Sequence, residues 1–471
     1  MSVERFIELL RRPLADLPHE LEMRPLAGPF DVRVRPPGSK SITNRVLLLA
    51  ALAEGESVID RPLVDADDAR VMIDALRALG ARIEPDGASL RVRGTGGRPR
   101  GGVTLNLMNA GTATRFLTAA ACLADAPVVI DGNQRMRQRP IGELAGLLRK
   151  LGITVEELGA PGCVPLRVHP ARPRRARLRV GATSSSQFIS ALMLIAPLLE
   201  EGLALEFVGE PTSRSYIDMT ASILRECFGV RVRREERGLR VERGTLSGRT
   251  IAVEPDASGA TYFWAAAALL AGARCTVEGV GRSSVQGDAR FVRELARLGA
   301  DVEENTHDTG VRGSGSLRGV EADLTLMPDA AMTLAAVACL ARGATVVRGL
   351  RTLRVKETDR LAALANEISK LGVGVQIFRT PGASADRPAD EGLTLTPPAG
   401  GIECGPAAPR TVFDTYDDHR MAMSLALVGL RRPGVVIRDP ACVAKTYPTF
   451  WNHLAALYES AAAGGSPRSA G

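Results

Sequence analysis

A polar stretch that opens an apolar helix recurs six times along this chain, and the recurrence decides what the chain can fold into. The starts read GSKSITNR from Gly38, NAGTATR from Asn109, ATSSSQF from Ala182, PDASGAT from Pro255, PDAAMT from Pro328 and YDDHRMAM from Tyr416. With Lys40, Gly111, Ser185, Ser258, Ala330 and Asp418 as equivalent points, subtraction along the numbering gives intervals of 71, 74, 73, 72 and 88 residues. A β-branched strand follows each apolar run: SVIDRP from Ser57, VVIDGN from Val128, LALEFVGEP from Leu203, CTVEGVGR from Cys275, TVVRGLR from Thr345 and VVIRDP from Val435. Second helices then close at Gly80, Gly152, Gly229, Gly299 and Gly372, where glycine past a helix end is the expected cap. The sixth unit ends in a helix predicted over Thr449–Ala461. The long last interval is explained by PGASADRPADEG, Pro381–Gly392, which reads as an exposed loop.

Units of this size exceed the usual solenoid repeat of roughly 20–50 residues. They are expected to pack a few to a globular domain, and 471 residues are too many for one ordinary core. Three and three is the natural division, giving an α/β chain with a boundary near Glu254–Asp256. The runs FWAAAALLAGA and MTLAAVACLA are apolar all round, so the first helix of each unit should be internal, with the sheets outside it. Their polar first turns then need a surface, and a shared cleft is the economical one. Residues 1–28 read as an N-terminal appendix, an amphipathic helix over Arg5–Arg12 and then a proline-broken segment, and both an arm that packs on the body and a mobile tail stay open. The expected domains are 29–36 with 255–462 and 37–254, leaving a tail over 463–471.

The N-terminus carries Glu4 and Glu8 among its apolar residues and has no signal-peptide pattern. No apolar run is long enough to span a bilayer, so a cytoplasmic protein with no membrane partner is expected. Seven scattered cysteines without a CxxC pair suit reduced thiols, and five histidines without HExxH spacing argue against zinc. The net charge of +7 favours an acidic partner. Aromatics make up only 4%, too few for base stacking. The densest basic run, Arg172–Arg179, reads as a solvated strand edge. Small anions fit better than nucleic acid.

The helix starts carry the means to bind them. Unpaired N–H groups and the positive end of the dipole make a helix N-terminus an anion site. Lys40, Ser41 and Arg45 stand at the first; Asn109, Gly111, Thr112 and Arg115 at the second, with Arg139 following. Ser185, Ser186 and Gln187 stand at the third, followed by Ser213 and Tyr216. Asp329 opens the fifth, followed by Arg354, Lys356, Glu357 and Arg360. Asp418, His419 and Arg420 open the sixth, followed by Lys445 and Thr446. Arginine, lysine, hydroxyl and amide groups suit phosphate and carboxylate. Asp329, Glu357 and Asp418 alone supply carboxylates for proton transfer. Taken singly, each has a plainer reading. Asp329 and Asp418 serve as helix caps, KETDR forms an ion-paired solvated face, and Lys445 is a surface lysine. Six in register weigh against coincidence.

PGSKSITNR, NAGTATR, RPIG, SSSQF, SYIDMT, PDAAMT, RVKETDRL, DDHRMAM and AKTYP, in that order over roughly Arg33–Leu457, closely resemble the 5-enolpyruvylshikimate-3-phosphate synthase family. The resemblance implies a two-domain inside-out α/β barrel of six βαβαββ repeats, three per domain, joined by two crossover strands and closing over its substrates. It implies transfer of the enolpyruvyl group of phosphoenolpyruvate to the 5-hydroxyl of shikimate 3-phosphate, with release of phosphate, on the way to chorismate and the aromatic amino acids. By the same resemblance, shikimate 3-phosphate binds through Lys40, Ser41, Arg45, Ser185, Ser186, Gln187, Ser213, Asp329 and Lys356. Phosphoenolpyruvate binds through Lys40, Asn109, Gly111, Arg139, Gln187, Arg360, Arg420 and Lys445. Asp329 is the expected base, Glu357 the acid and Lys40 a partner in proton transfer. No metal or organic cofactor is required, and a monomer is expected.

Two positions depart from the family. Phe116 follows Arg115 where many members have proline, which bears on sensitivity to the inhibitor glyphosate. Thr352 stands where many have asparagine. The alternatives are the sister enzyme acting on UDP-N-acetylglucosamine, whose mobile-loop cysteine is not found between Gly111 and Arg115, and an inactive anion-binding relative.

Overall fold

The computed structural model describes residues 2–173, 176–181, 183–382, 389–464 and, as backbone, 468–470. Contacts divide the chain into two compact units. One takes the N-terminal residues to Pro37, Pro255–Pro381 and Ala389 onward; the other is built from Gly38–Glu254.

Each repeat folds into its own sheet, and the first five share one wiring. In the second, Thr104–Asn106 runs parallel to Val128–Asp131, which pairs antiparallel with Leu166–Val168, itself paired with Val155–Glu157. The third and fifth repeat this order with their own strands. A right-handed crossover through a helix is how a chain places two parallel strands side by side, and a tight hairpin then suffices for the antiparallel pair. The crossover helices are Lys40–Leu52, Gly111–Ala120, Ser186–Ile195, Ala257–Leu269, Ala331–Ala338 and His419–Val428. All thirteen residues of Ala257–Leu269 are buried, as is every residue of Ile42–Leu52. The apolar runs are therefore internal, as their all-round hydrophobicity predicts. The five glycines closing the second helices all have positive φ, between 68° and 115°, a conformation that costs glycine no steric strain.

The opening repeat of each unit borrows its first strand. Thr250–Ala252, from the far end of its unit, runs parallel to Glu56–Asp60. Asp31–Val34 does the same for Arg274–Val277.

Of the two readings open for residues 1–28, the structure shows the arm packed on the body, and two further expectations are corrected. The helix lies at Val3–Leu10, and its Phe6 and Leu10 are fully buried, each such burial stabilising by roughly 1.5–3 kcal/mol. Phe6 meets the ring of Tyr458 edge-on at 5.1 Å, and Arg11 pairs with Glu459 at 2.7 Å. Further on, Glu20–Glu22 pairs antiparallel with Val436–Arg438, completing the sixth sheet, whose own repeat has no hairpin to offer. The tail is not wholly outside the fold either, because Arg468–Ala470 runs parallel to Asp31–Val34. The loop expected over Pro381–Gly392 is shorter: Gly374–Thr380 and Asp390–Thr396 pair along their full length. Residues 383–388 of that loop lie outside the described residues, as do Arg174 and Arg175 of the basic run and Ala182 of the third helix start. Arg177–Val180 is an edge strand with Arg177 and Arg179 exposed. Among the described residues no helix is long and apolar enough to cross a membrane.

Candidate active site

In the unit that holds repeats four to six, the expected residues converge on Arg360. This arginine opens the helix Arg360–Ser369, which Asp359 caps by accepting from Ala362 N at 3.1 Å. It is 1% exposed yet meets three carboxylates: Asp418 at 2.7 Å, Asp329 at 2.9 Å and Glu357 at 2.9 Å. Burial opposes its charge, but Asp418, Glu357 and Asp329 outweigh burial and raise its pKa further. Asp418 serves twice. It caps His419–Val428 by accepting from Arg420 N at 3.0 Å, and it accepts two bonds from Arg360.

Asp329 sits in a short helical turn, Pro328–Ala330, and its side chain caps nothing. It faces cations instead: Arg360 at 2.9 Å, Lys356 at 3.0 Å and Arg420 at 3.6 Å. Burial favours its neutral form, but Lys356, Arg420 and Arg360 together overcome burial and hold the carboxyl far below the usual range. The KETDR stretch is thus a half-buried network anchored on the buried Arg360 and not a solvated face: Lys356 reaches Asp329, while Arg360 takes Glu357. Lys445 ends the short helix Pro440–Lys445, and its charge partly offsets the burial that raises the pKa of Asp417. Thr352 is buried, and its Oγ1 has no hydrogen-bond partner among the described residues.

In the unit that holds repeats one to three, Lys40 opens its helix and pairs with Asp68 at 3.0 Å. Arg45, one turn on, donates to Ser41 O, Thr220, Ser190 and Tyr216 O. Arg139 donates to Asn109 O at 3.2 Å and Asn109 Oδ1 at 3.1 Å. Its guanidinium lies so close to Gly111 that a Cβ there would stand 2.7 Å from Nη2. Ser185 caps Ser186–Ile195, and Gln187 donates to Thr112 at 3.3 Å. Ser213 is buried with φ 47°, a strained position for a non-glycine residue. Phosphate and carboxylate ligands suit this set, because it offers arginine, lysine, amide and hydroxyl donors with few acids.

Sequence reasoning missed two acids. Asp68 stands in the first turn of the helix Asp67–Ala78 of the first repeat, in DADDAR, where clustered acids read as ordinary first-turn residues. Asp288 lies between the fourth repeat's strand and second helix. Its Oδ2 accepts from Ser258, its Oδ1 has no partner among the described residues, and burial pushes its pKa up to about 6. Among the described residues no cluster of His, Cys, Asp and Glu could hold a metal ion.

The family model of EPSP synthase (3-phosphoshikimate 1-carboxyvinyltransferase) matches residues 27–454. The 3-phosphoshikimate 1-carboxyvinyltransferase of Ralstonia pickettii is 46% identical over 431 residues, covering 89% of this chain and 95% of that protein. The EPSP synthase of Acinetobacter baumannii superposes with a TM-score of 0.74 at 25% identity, over 93% of this chain and 98% of that one. The enolpyruvyl transferase NikO of Streptomyces tendae shares the fold, with a TM-score of 0.70 at 18% identity over 94% and 96% of the two chains. A match over so much of the chain, with the six helix starts in order, places this protein in the EPSP synthase family.

Proposed function

We propose that the protein transfers the enolpyruvyl group of phosphoenolpyruvate to the 5-hydroxyl of shikimate 3-phosphate and releases phosphate. The observation that carries the assignment to named residues is the cluster around Asp329, in which three cations meet one buried carboxylate. In this reading Arg45, Ser41, Ser185, Ser186, Gln187, Ser213, Asp329 and Lys356 bind shikimate 3-phosphate. Asn109, Gly111, Arg139, Gln187, Arg360, Arg420 and Lys445 bind phosphoenolpyruvate, and Lys40 serves both.

The reaction is an addition followed by an elimination. The hydroxyl oxygen forms a bond to C2 and gives up its proton while the methylene carbon gains one; then that carbon loses a proton as the C–O bond to phosphate breaks. Asp329 takes the hydroxyl proton. Three cations make it a weak base in the ligand-free protein. Anionic substrates drawn to Lys356, Arg420 and Arg360 offset those charges and lift its proton affinity. Catalysis by that route begins only when both anions are in place. Glu357, paired with Arg360, supplies the methylene proton, and Lys40 shares in proton transfer. The arginines and Lys445 stabilise charge on the phosphate through the tetrahedral intermediate. Atoms and charge balance without a metal or organic cofactor. The reading carries with it a monomer working in the cytoplasm.

The experiment is phosphate release from phosphoenolpyruvate with shikimate 3-phosphate or, in parallel, UDP-N-acetylglucosamine as acceptor. Release with shikimate 3-phosphate alone is expected. Release with the nucleotide sugar, or with neither, overturns the assignment.

A further inference from the structure

Among the described residues Arg45 is a buried cation without an acid. It is 1% exposed, and each of its acceptors is neutral: Thr220 Oγ1 at 2.8 Å, Ser41 O at 2.7 Å, Ser190 Oγ at 3.2 Å and Tyr216 O at 3.4 Å. Among the described residues no carboxylate pairs with it. Arg360, by contrast, has three. Burial pushes the Arg45 pKa down to about 10, with Tyr216 opposing, so the group stays charged at neutral pH. Desolvating a charge without a counter-ion is unfavourable, so something must hold it there.

Two rings do. The guanidinium carbon lies 5.1 Å from the centre of the Phe116 ring and 6.0 Å from that of Tyr216. Both are within reach of the attraction between a cation and a ring face, which strengthens when water is excluded. Phe116 is fully buried. It belongs to the helix Gly111–Ala120, whose N-terminal end follows Asn109, whereas Arg45 belongs to Lys40–Leu52. The contact therefore ties the helix start of the first repeat to that of the second.

We propose that Phe116 is a positioning residue for Arg45: its ring holds the guanidinium in place and leaves the positive charge unneutralised for a phosphorylated, carboxylate-bearing ligand. A carboxylate in place of the ring would hold the arginine as firmly but cancel its field. The four protein acceptors occupy four of the five N–H donors, and one at Nη1 remains. The inference rests on the assignment of Arg45 to shikimate 3-phosphate made above.

The test compares wild type, Phe116→Leu, Arg45→Lys and the double variant, with Phe116→Met as a second substitution should Phe116→Leu not fold. Calorimetry reads shikimate 3-phosphate binding, steady-state kinetics read the KM of each substrate, and thermal melting confirms folding. Loss of the ring face should weaken shikimate 3-phosphate binding roughly three- to thirtyfold and move the phosphoenolpyruvate KM by less than about twofold. In the Arg45→Lys background the same substitution should have little further effect. An equal loss for both substrates, or additive effects in the double variant, overturns the proposal, because a general packing role predicts either. Wild-type turnover with Phe116→Leu binding unchanged overturns this inference alone. A wild type that neither binds nor turns over shikimate 3-phosphate overturns the functional reading with it.

Discussion

Gly111→Ala tests how closely the second repeat is built around Arg139. An added methyl would stand 2.7 Å from Arg139 Nη2 and 2.9 Å from both Cζ and Nη1. Real Cβ atoms do not approach other atoms so closely, so something must move. The obstructing atoms are the far end of a long side chain, so the guanidinium yields and the backbone stays. Its bonds to Asn109 O and Oδ1 are then stretched or lost, and hydrogen bonds from a charged group are worth about 1.5–3 kcal/mol. If phosphoenolpyruvate is read by that guanidinium, its KM should rise roughly tenfold to a hundredfold. Stability should barely change. Gly111 lies in the first turn of its helix without positive φ, where alanine in place of glycine gains about 0.4–1 kcal/mol. That gain offsets part of the strain. Steady-state kinetics at saturating shikimate 3-phosphate, alongside a thermal melt, make the check. A large fall in melting temperature with the phosphoenolpyruvate KM unchanged would refute the reasoning, because the collision would then have been relieved in the backbone.

Three further substitutions probe the acids. Asp68→Asn removes the carboxylate from Lys40 across a 3.0 Å pair whose lysine is 14% exposed; kcat should fall by roughly tenfold or more, and kinetics indistinguishable from wild type would remove Asp68 from the site. Glu357→Gln should slow solvent proton exchange into the methylene of phosphoenolpyruvate far more than it weakens ligand binding, and exchange at the wild-type rate excludes Glu357 as the acid. Asp288 has its folded pKa raised to about 6 from 3.8. The folded state therefore binds the proton more tightly than the unfolded state, and ionisation at neutral pH costs stability, up to about 3 kcal/mol. That cost is present above pH 6 and fades as pH falls towards 4. Asp288→Asn should melt above wild type at pH 7.5, keep about half of that advantage at pH 5 and lose it towards pH 4; a pH-independent difference contradicts the assignment.

The architecture was legible because it is written six times. One 72-residue pattern is weak evidence, but a glycine required at positive φ in the same place five times is a backbone demand repeated in register. The N-terminal arm and the tail were illegible for a physical reason. A strand as short as Glu20–Glu22 has no periodicity to read, and its partner Val436–Arg438 lies some four hundred residues away. Only the folded sixth sheet shows that an antiparallel strand is wanted there. The helix Val3–Leu10 was visible as amphipathic, but the surface it covers, with Tyr458 and Glu459 on it, was not.

The site divides the same way. Candidate residues at helix starts are legible, because there the sequence itself places polar side chains beside the N–H groups of a first turn. Asp68 and Asp288 were not found, because they enter from second helices and connecting turns, where acids have many ordinary uses. Most instructive is Asp329, for which cap and base were both open from sequence. The structure removes the cap, since among the described residues no backbone N–H is bonded to the side chain, and adds a difficulty for the base, since three cations suppress its proton affinity. Two of those cations, Lys356 and Arg360, come from the fifth repeat and the third, Arg420, from the sixth. No local motif contains their sum. A carboxylate with such neighbours is a poor base until anions reach them, so its depressed pKa does not conflict with the role proposed for it. In the proposed reading the substrates' own charge restores the basicity, and Arg420 or Lys356 made neutral should lift the proton affinity of Asp329 without any substrate.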